Sequence, residues 1–317
     1  MGKTSPPKQS KKGSHPVSVN LGHLATEQQN RASANLDTKS AAEIAAIINA
    51  EDAKVAAAVK KALPSIAKAI DAIVHGFNNG GRLIYVGAGT SGRIAAIDAS
   101  ECPPTFNADP HTVQYVMAGG PRALANAAEF NEDSRDLGAS DIAKRRPTRN
   151  DVVVGIAASG RTPYTISALE YAKSRGSVTV GISCNRNSEL GHVADIEIEV
   201  DVGPEVVSGS TRMKAGTAQK LVCNMLTTGA FTRLGYVYGN LMVNVHLKNK
   251  KLLERGISIL MKAASVDRAT AEKTLKIADN HVPVALVMLK TGISVTEAEK
   301  RLADVRGNVR RAIEETD

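Results

Sequence analysis

LIYVGAGTSGRIAAIDASECPPTF, residues 83–106, is the stretch that decides the fold of this chain. It opens with an apolar run, Leu83–Val86, of the kind that forms a buried strand. A loop of glycines and hydroxyls follows, and small apolar residues then recur at helical spacing. Glu101 comes next, and we expect the helix to stop at Pro103 and Pro104 just after it. A strand, a phosphate-type loop, a helix and an acid in this order indicate a ligand site.

The loop Gly87–Gly92 has three interpretations. It matches the G-x-G-x-x-G fingerprint of dinucleotide-binding domains, but the acid expected about twenty residues further on is poorly matched. Thr90 and Ser91 instead place hydroxyls beside free backbone N–H groups at a helix N-terminus, which suits a monophosphate. The third interpretation is that the glycines serve only a tight strand-to-helix turn. A Walker loop is excluded because the G-K-[ST] ending is absent.

A second copy of this unit begins at Asp151. An apolar run over 151–156 predicts another strand, and Ser159-Gly160-Arg161 then repeats Ser91-Gly92-Arg93. A repeated strand–loop–helix unit predicts an α/β fold with a doubly wound, mainly parallel sheet that binds ligands at the carboxyl ends of its strands. Hydroxyls and backbone amides on such loops favour a sugar isomerase (SIS) domain over a nicotinamide domain.

A third polar block, GPEVVSGSTRMK at residues 203–214, precedes a long helix predicted over 216–234. Ser210 and Thr211 can cap that helix and can also meet an anion at its N-terminus. Spacing alone does not choose between capping and binding. Glu205 is a third candidate carboxylate, which either joins the site or holds the loop through backbone N–H groups.

Three blocks carry a resemblance to a known family: VGAGTSGR…DASECPPTF, GIAASGRTPY and GPEVVSGSTRMKAGTAQKLVCNMLTTGA…YGNLMV. From about Leu24 to its C-terminus the chain resembles the N-acetylmuramic acid 6-phosphate etherase family, which is related to glucokinase regulatory protein. The resemblance implies cleavage of the lactyl ether of N-acetylmuramate 6-phosphate to N-acetylglucosamine 6-phosphate and D-lactate, in cell-wall recycling. It implies no cofactor, metal or nucleotide, an SIS-domain homodimer, and a small C-terminal helical bundle like a ubiquitin-associated (UBA) module.

Two departures from the family pattern concern details outside the chemistry. Gln29-Asn30-Arg31 stands where Arg-Asn-Pro is usual, and Asn244 stands where an aspartate is usual. The first concerns details of the N-terminal segment (the strap of the family), and the second concerns details of the dimer contacts.

The predicted catalytic residues are two glutamates. Glu101 is the principal acid/base, which protonates the departing lactyl oxygen and then serves the addition of water. By resemblance, Glu132 takes the position of the second carboxylate, although its local pattern is that of a solvated acidic helix face. The substrate-binding residues come from the three loops, with the resemblance deciding for the third: Gly89, Thr90, Ser91, Ser159, Gly160, Arg161, Thr162, Glu205, Ser210, Thr211 and Lys214.

Composition limits the partners. Four of the eight net positive charges lie before the first acid, in a tail expected to be a solvated arm. Aromatic residues make up only 3% of the chain, which argues against a nucleic-acid stacking platform.

The three cysteines have no C-x-x-C spacing, and we interpret Cys102 as a packing residue rather than as a nucleophile. With no membrane span and no signal region in sight, we expect a cytoplasmic protein that binds an amino-sugar phosphate.

The predicted organisation has three parts: a disordered basic arm over 1–20, an SIS domain with N-terminal helices over 21–250, and a three-helix bundle over 251–317. A capping box at Ser40 and Glu43 starts the N-terminal helices. Further strands are predicted over 113–117, 178–182 and 196–200, and one helix over 121–135.

Other classes of protein with this pattern stay open at this point. A sugar-phosphate isomerase needs a ring-opening histidine, and none stands near the motifs. A non-catalytic sensor does not need Glu101, which here lies in an intact SECPPTF. A nicotinamide-dependent dehydrogenase is favoured least, and it predicts stabilisation by the nucleotide.

Overall fold

The computed structural model describes residues 25–126, 131–247 and 249–315. The basic arm predicted over 1–20 lies outside these ranges. No helix in the described ranges is long and apolar enough to cross a membrane.

Five parallel strands form the central sheet, in the order β2-β1-β3-β4-β5. The predicted doubly wound α/β fold is therefore confirmed, because the strand order reverses between β1 and β3. Every residue of these two central strands is buried, as expected for a sheet covered by helices on both faces. The strands are β1 (Leu83–Gly87), β2 (Val113–Met117), β3 (Val152–Ile156), β4 (Val178–Ser183) and β5 (Ile196–Glu199).

Helices cover both faces of the sheet. Side chains of α3, α4 and α8 pack on one face, and side chains of α5 and α6 pack on the other. Ser40 and Glu43 form the predicted capping box at the start of α1. The helices of this part are α1 (Ala41–Asp52), α2 (Val55–Lys61), α3 (Leu63–Asn78), α4 (Gly89–Phe106), α5 (Arg135–Ala143), α6 (Pro163–Ser174), α7 (Glu189–Val193) and α8 (Lys214–Arg233).

Helix α4 continues past the prolines that were expected to end it. Pro103 and Pro104 lie inside the helix, which ends at Asn107 in the left-handed region with a φ of 53°. The prolines leave two carbonyls of the preceding turn without a helical donor, which disfavours this turn. Packing compensates, because the ring of Phe106 stacks on that of Phe231 with centroids 4.5 Å apart.

The single helix predicted over 121–135 is wrong in the described residues. A short 3-10 helix spans Gly120–Leu124, and α5 begins only at Arg135. The hydroxyl of Ser134 accepts a hydrogen bond from the N–H of Leu137 at 3.2 Å, so a new helix is capped here. As a result Glu132 lies in the turn before α5 and not on a solvated helix face.

Within residues 249–315 the structure has five helices, not the three predicted over 251–317. Side-chain caps at Asp267, Ser294 and Asn308 each start a separate short helix. Their apolar faces enclose a core of their own, which includes Leu260, Leu275 and Leu286. The helices are α9 (Lys250–Ala264), α10 (Arg268–Ile277), α11 (Val282–Thr291), α12 (Val295–Asp304) and α13 (Val309–Glu314).

Candidate active site

The first two predicted loops lie side by side where the strand order of the sheet reverses, between β1 and β3. We call this place the switch point. Gly87 of β1 is paired with Ile156 of β3, so the loop after each strand opens on the same crevice. A crevice at the carboxyl ends of two strands, where their order reverses, is where open α/β sheets bind ligands. The repeat detected in the sequence thus converges on one place.

The first loop places its hydroxyls at the start of α4. Gly89 has a φ of +52°, a conformation that favours glycine. Thr90 is half-buried and Ser91 is buried. The hydroxyl of Ser91 donates to the side-chain oxygen of Gln219 at 3.0 Å. The pattern of the sequence did not point to Gln219, because it lies on α8, far away along the chain.

The second loop leads into α6. Gly160 has a φ of +69°, and a Cβ atom there would lie 2.4 Å from the Cβ of Ser188, so glycine is required. The hydroxyl of Ser159 accepts the N–H of Arg161 at 3.2 Å. Thr162 occupies the N-cap position of α6 but makes no capping bond with its side chain to the described residues. Its hydroxyl therefore lies beside the positive end of the helix, where an anion is stabilised.

Glu132 is brought to this second loop. Its backbone carbonyl accepts the N–H of Tyr164 at 3.0 Å, in the first turn of α6. The structure thus places the backbone of Glu132 next to the loop that carries Ser159 and Thr162. The resemblance, and not the local pattern, was the only signal in the sequence for this position.

The third loop leads into α8 beside Thr90 of the first, and Glu205 takes one of the two roles that the sequence left open for it. Ser210 and Thr211 do not cap α8, whose N-cap residue is Met213. The carboxylate of Glu205 accepts the N–H groups of Lys214 and Ala215 at 3.0 and 2.9 Å. Burial raises the pKa of Glu205, and these backbone donors offset part of the rise. Glu205 is therefore the cap of α8, and it holds the loop.

Lys214 is buried, and its ammonium does not face an open site. Its Nζ lies 2.8 Å from a carboxylate oxygen of Glu51, at the end of α1. Burial raises the pKa of Glu51, but hydrogen bonds from Lys214, Lys54 and Asn30 outweigh it and lower the pKa to about 2. The pair joins α1 to the start of α8, so the structure places Lys214 where it positions the loop.

A segment that we call the strap, residues 25–33, runs across the third loop. The hydroxyl of Ser33 donates to the carbonyl of Val206 at 2.7 Å, and the carbonyl of Thr26 accepts the N–H of Gly209 at 3.1 Å. The side chain of Asn30 donates both to Glu51 and to the Pro204 carbonyl. The strap and the ion pair therefore stabilise the loop that presents Ser210 and Thr211.

Glu101 lies further along α4, away from the first loop of its own chain. It is exposed and follows Ser91 by ten residues along α4. At a rise of about 1.5 Å per residue, the helix separates the two positions by about 15 Å along its axis.

A buried polar network anchors this part of α4. The carboxylate of Asp98 accepts hydrogen bonds from Tyr85 at 2.9 Å and from Asn224 at 2.6 Å. Burial raises the pKa of Asp98, and its hydrogen bonds oppose that rise. Burial also raises the pKa of the Cys102 thiol to about 12. A protonated, buried thiol agrees with the interpretation of Cys102 as a packing residue.

No cluster of three or more His, Cys, Asp or Glu side chains that could hold a metal ion occurs within residues 25–126, 131–247 and 249–315.

Two comparisons identify the relatives of this chain. Residues 65–173 match the family described as the glucokinase regulatory protein N-terminal SIS domain, and residues 141–229 match the SIS domain. The N-acetylmuramic acid 6-phosphate etherase of Aliivibrio fischeri is 50% identical over 297 residues, which cover 94% of this chain and 99% of that protein. The etherase of Klebsiella aerogenes is 48% identical over 300 residues, which cover 95% of this chain and all of that protein. The etherase of Actinobacillus pleuropneumoniae is 50% identical over 293 residues, which cover 92% of this chain and 96% of that protein.

Proposed function

Because this chain belongs to the N-acetylmuramic acid 6-phosphate etherase family, we propose that it cleaves the D-lactyl ether of N-acetylmuramic acid 6-phosphate. The products are N-acetylglucosamine 6-phosphate and D-lactate, as cell-wall sugar recycling requires. The observation that carries the proposal is the pair of hydroxyl-bearing loops, 87–92 and 159–162, that meet at the switch point. Such loops suit the phosphate of a sugar phosphate.

The chemistry follows from the bond that must break. An ether oxygen at C3 is a poor leaving group, but opening of the sugar ring exposes an aldehyde at C1 that acidifies the hydrogen on C2. A base then removes the C2 proton, the C3–oxygen bond breaks, and an acid protonates the lactyl oxygen. Water adds to the unsaturated aldehyde, with its oxygen at C3 and a proton at C2. The aldehyde accepts the electrons, so carboxylates suffice and neither metal nor nucleotide takes part.

The phosphate anchors the substrate away from the reacting carbon. Thr90, Ser91, Ser159 and Thr162 supply hydroxyls, and two helices present their positive ends to it. Arg161 adds a positive charge within the second loop. Binding energy gained at the phosphate orients C2 and C3 against the catalytic groups.

We infer that the Glu101 that serves a site comes from a second copy of the chain. The five bonds from phosphorus to C3 span at most about 7 Å, at roughly 1.5 Å each. Glu101 lies about 15 Å along α4 from the phosphate loop, about twice that span, which favours a Glu101 that comes from another chain. Exposed apolar side chains, Ile97 at 59% and Leu124 at 39%, provide a contact surface on this side of α4. A homodimer brings Glu101 of one chain to Glu132 of the other.

The two carboxylates then divide the proton transfers. Glu101 protonates the lactyl oxygen and afterwards serves the addition of water, while Glu132 takes the C2 proton. Glu132 suits the second task because it lies beside the phosphate-binding loop of its own chain.

We expect the phosphate to be indispensable. Two charge-assisted hydrogen bonds at about 2 kcal/mol each correspond to about a thousandfold, so kcat/KM for N-acetylmuramic acid should fall at least that far below the value for its 6-phosphate. Initial rates of D-lactate release from the two sugars measure this ratio. The double variant Ser159→Ala, Thr162→Ala should narrow this ratio, because it should lower kcat/KM for the 6-phosphate and leave kcat/KM for the unphosphorylated sugar unchanged. Comparable kcat/KM for the two sugars in the unaltered protein would refute the phosphate site.

A further inference from the structure

A polar cavity of about 570 Å³ lies between the second loop and the segment that follows β4. Its lining includes Ser159 and Arg161 from the loop, Asn185, Ser188 and His192 from the segment, and Ala25 from the strap. The cavity therefore continues the proposed phosphate site away from Ser91. Nothing in the mechanism above uses Asn185.

Two side chains of this cavity carry buried atoms that lack a hydrogen-bond partner among the described residues. They are Nη1 of Arg161 and Oδ1 of Asn185. The two atoms have opposite character, since the guanidinium nitrogen can only donate and the amide oxygen can only accept. Buried polar atoms are nearly always paired, so two unpaired atoms on side chains that line one cavity favour a ligand that pairs with both.

The orientation of the Asn185 amide is determined by its surroundings. Its Nδ2 donates to the carbonyl of Ala158 at 3.0 Å and to the hydroxyl of Thr26 at 3.2 Å. The opposite orientation would place the amide oxygen against the Ala158 carbonyl, which cannot donate. Oδ1 is therefore the free acceptor, on a side chain that is only 3% exposed.

A sugar 6-phosphate has a group that matches each atom. The phosphate is an acceptor for Arg161, and the oxygen nearest to it on the sugar skeleton is O5. In the ring form O5 has no hydrogen and cannot donate to Asn185. Ring opening breaks the C1–O5 bond, turns the C1 hydroxyl into a carbonyl and transfers its proton to O5. Only the open chain offers a donor at this position.

We infer that Asn185 is a specificity-determining residue, whose Oδ1 accepts a hydrogen bond from the O5 hydroxyl of the open-chain sugar phosphate. This inference rests on the proposed function and deepens it. A site that binds the open form more tightly than the ring shifts the population of bound substrate toward the aldehyde. The aldehyde is the species from which the C2 proton can be removed.

Binding of two unreactive ligands to the full-length protein tests this role. D-Glucitol 6-phosphate is an open chain with an O5 hydroxyl, whereas 1,5-anhydroglucitol 6-phosphate is a closed ring that lacks it and cannot open. Calorimetric Kd values should show a preference of the unaltered protein for glucitol 6-phosphate. In Asn185→Leu this preference should shrink by about tenfold or more, because the acceptor is lost.

Thr26→Val is the matched control. It removes the strap's bond to Asn185, as Asn185→Leu also does, but it leaves Oδ1 in place, so it should keep the preference. Equal Kd values for the two ligands in the unaltered protein would overturn the inference without any variant, as would an unchanged preference in a folded Asn185→Leu. The two buried atoms would then bind water only. Failure of the unaltered protein to bind either ligand would overturn the proposed sugar-phosphate site itself, and the inference with it.

Discussion

Glu101→Gln should lower D-lactate release from N-acetylmuramic acid 6-phosphate by about 10²–10⁴-fold, the usual contribution of a positioned acid or base. The amide has nearly the shape of the carboxyl group but cannot take up and return a proton. Since Glu101 is exposed and lies about 15 Å along α4 from the first phosphate loop, the Kd for glucitol 6-phosphate should stay within a few-fold. Near-normal lactate release by a folded Glu101→Gln protein would remove it from the mechanism.

Mixed dimers test whether Glu101 acts across the subunit interface. Glu101→Gln and Glu132→Gln should each be nearly inactive alone. If the two glutamates of one site come from different chains, a mixed dimer has one site with both lesions and one intact site. Random mixing makes half of the dimers mixed, so about a quarter of the unaltered activity should return.

Each variant remixed with itself is the control for the mixing procedure. If both glutamates came from the same chain, every site in a mixed dimer would lack one of them. The mixture would then stay as inactive as its components. Such a result, with subunit exchange shown by differently tagged chains, would place Glu101 in the site of its own chain.

Lys214→Met should lower the free energy of unfolding by about 3–5 kcal/mol, the cost of leaving one partner of a buried ion pair alone. Glu51 and Lys214 are both almost fully buried, and their atoms lie 2.8 Å apart. The double variant Glu51→Leu, Lys214→Met should recover most of the loss, because no charge remains unpaired. Urea unfolding followed by circular dichroism measures the free energy of unfolding of the unaltered protein and of both variants.

Lys54→Met is the matched control for this pair. Lys54 contacts the same carboxylate, but 65% of its side chain is exposed. Its loss should cost no more than about 1 kcal/mol, as for surface ion pairs. A Lys54→Met protein as unstable as Lys214→Met would show that the buried pair is not the source of the stability.

The same pair predicts how stability depends on pH. The pKa of Glu51 is about 2 in the folded protein, against 4.5 ordinarily. A lowered carboxyl pKa contributes stability that is fully present above the ordinary value and is lost as the pH falls toward the folded value. Unfolding free energies measured from pH 5 down to pH 2 should therefore fall less steeply in the double variant than in the unaltered protein.

The sheet and two of the loops could be predicted from the sequence because their signals are local. The runs at 83–86 and 151–156 are apolar and short, and each is followed within a few residues by Ser-Gly-Arg. Strand, turn and helix start are all encoded in one window, so their repetition predicts the doubly wound sheet.

Features that depend on distant contacts could not be predicted. Helix α4 runs through its prolines because Phe106 stacks on Phe231, which is far away along the chain. For Glu205 the sequence left two roles open, and its bonds to the N–H groups of Lys214 and Ala215 decide for the one in which it holds the loop. Asn185 carries no pattern at all, because its free acceptor is defined by the bond from its Nδ2 to the Ala158 carbonyl, which exists only in the folded chain.

The reaction itself is tested most directly by D-lactate release in water enriched in oxygen-18, with EDTA present. We predict that D-lactate forms without label and that N-acetylglucosamine 6-phosphate carries one solvent oxygen at C3. This pattern requires the C3–oxygen bond to break and water to add to the sugar, without a chelatable metal. Label in the lactate hydroxyl, an unlabelled sugar, or no lactate at all would contradict elimination and hydration by this chain.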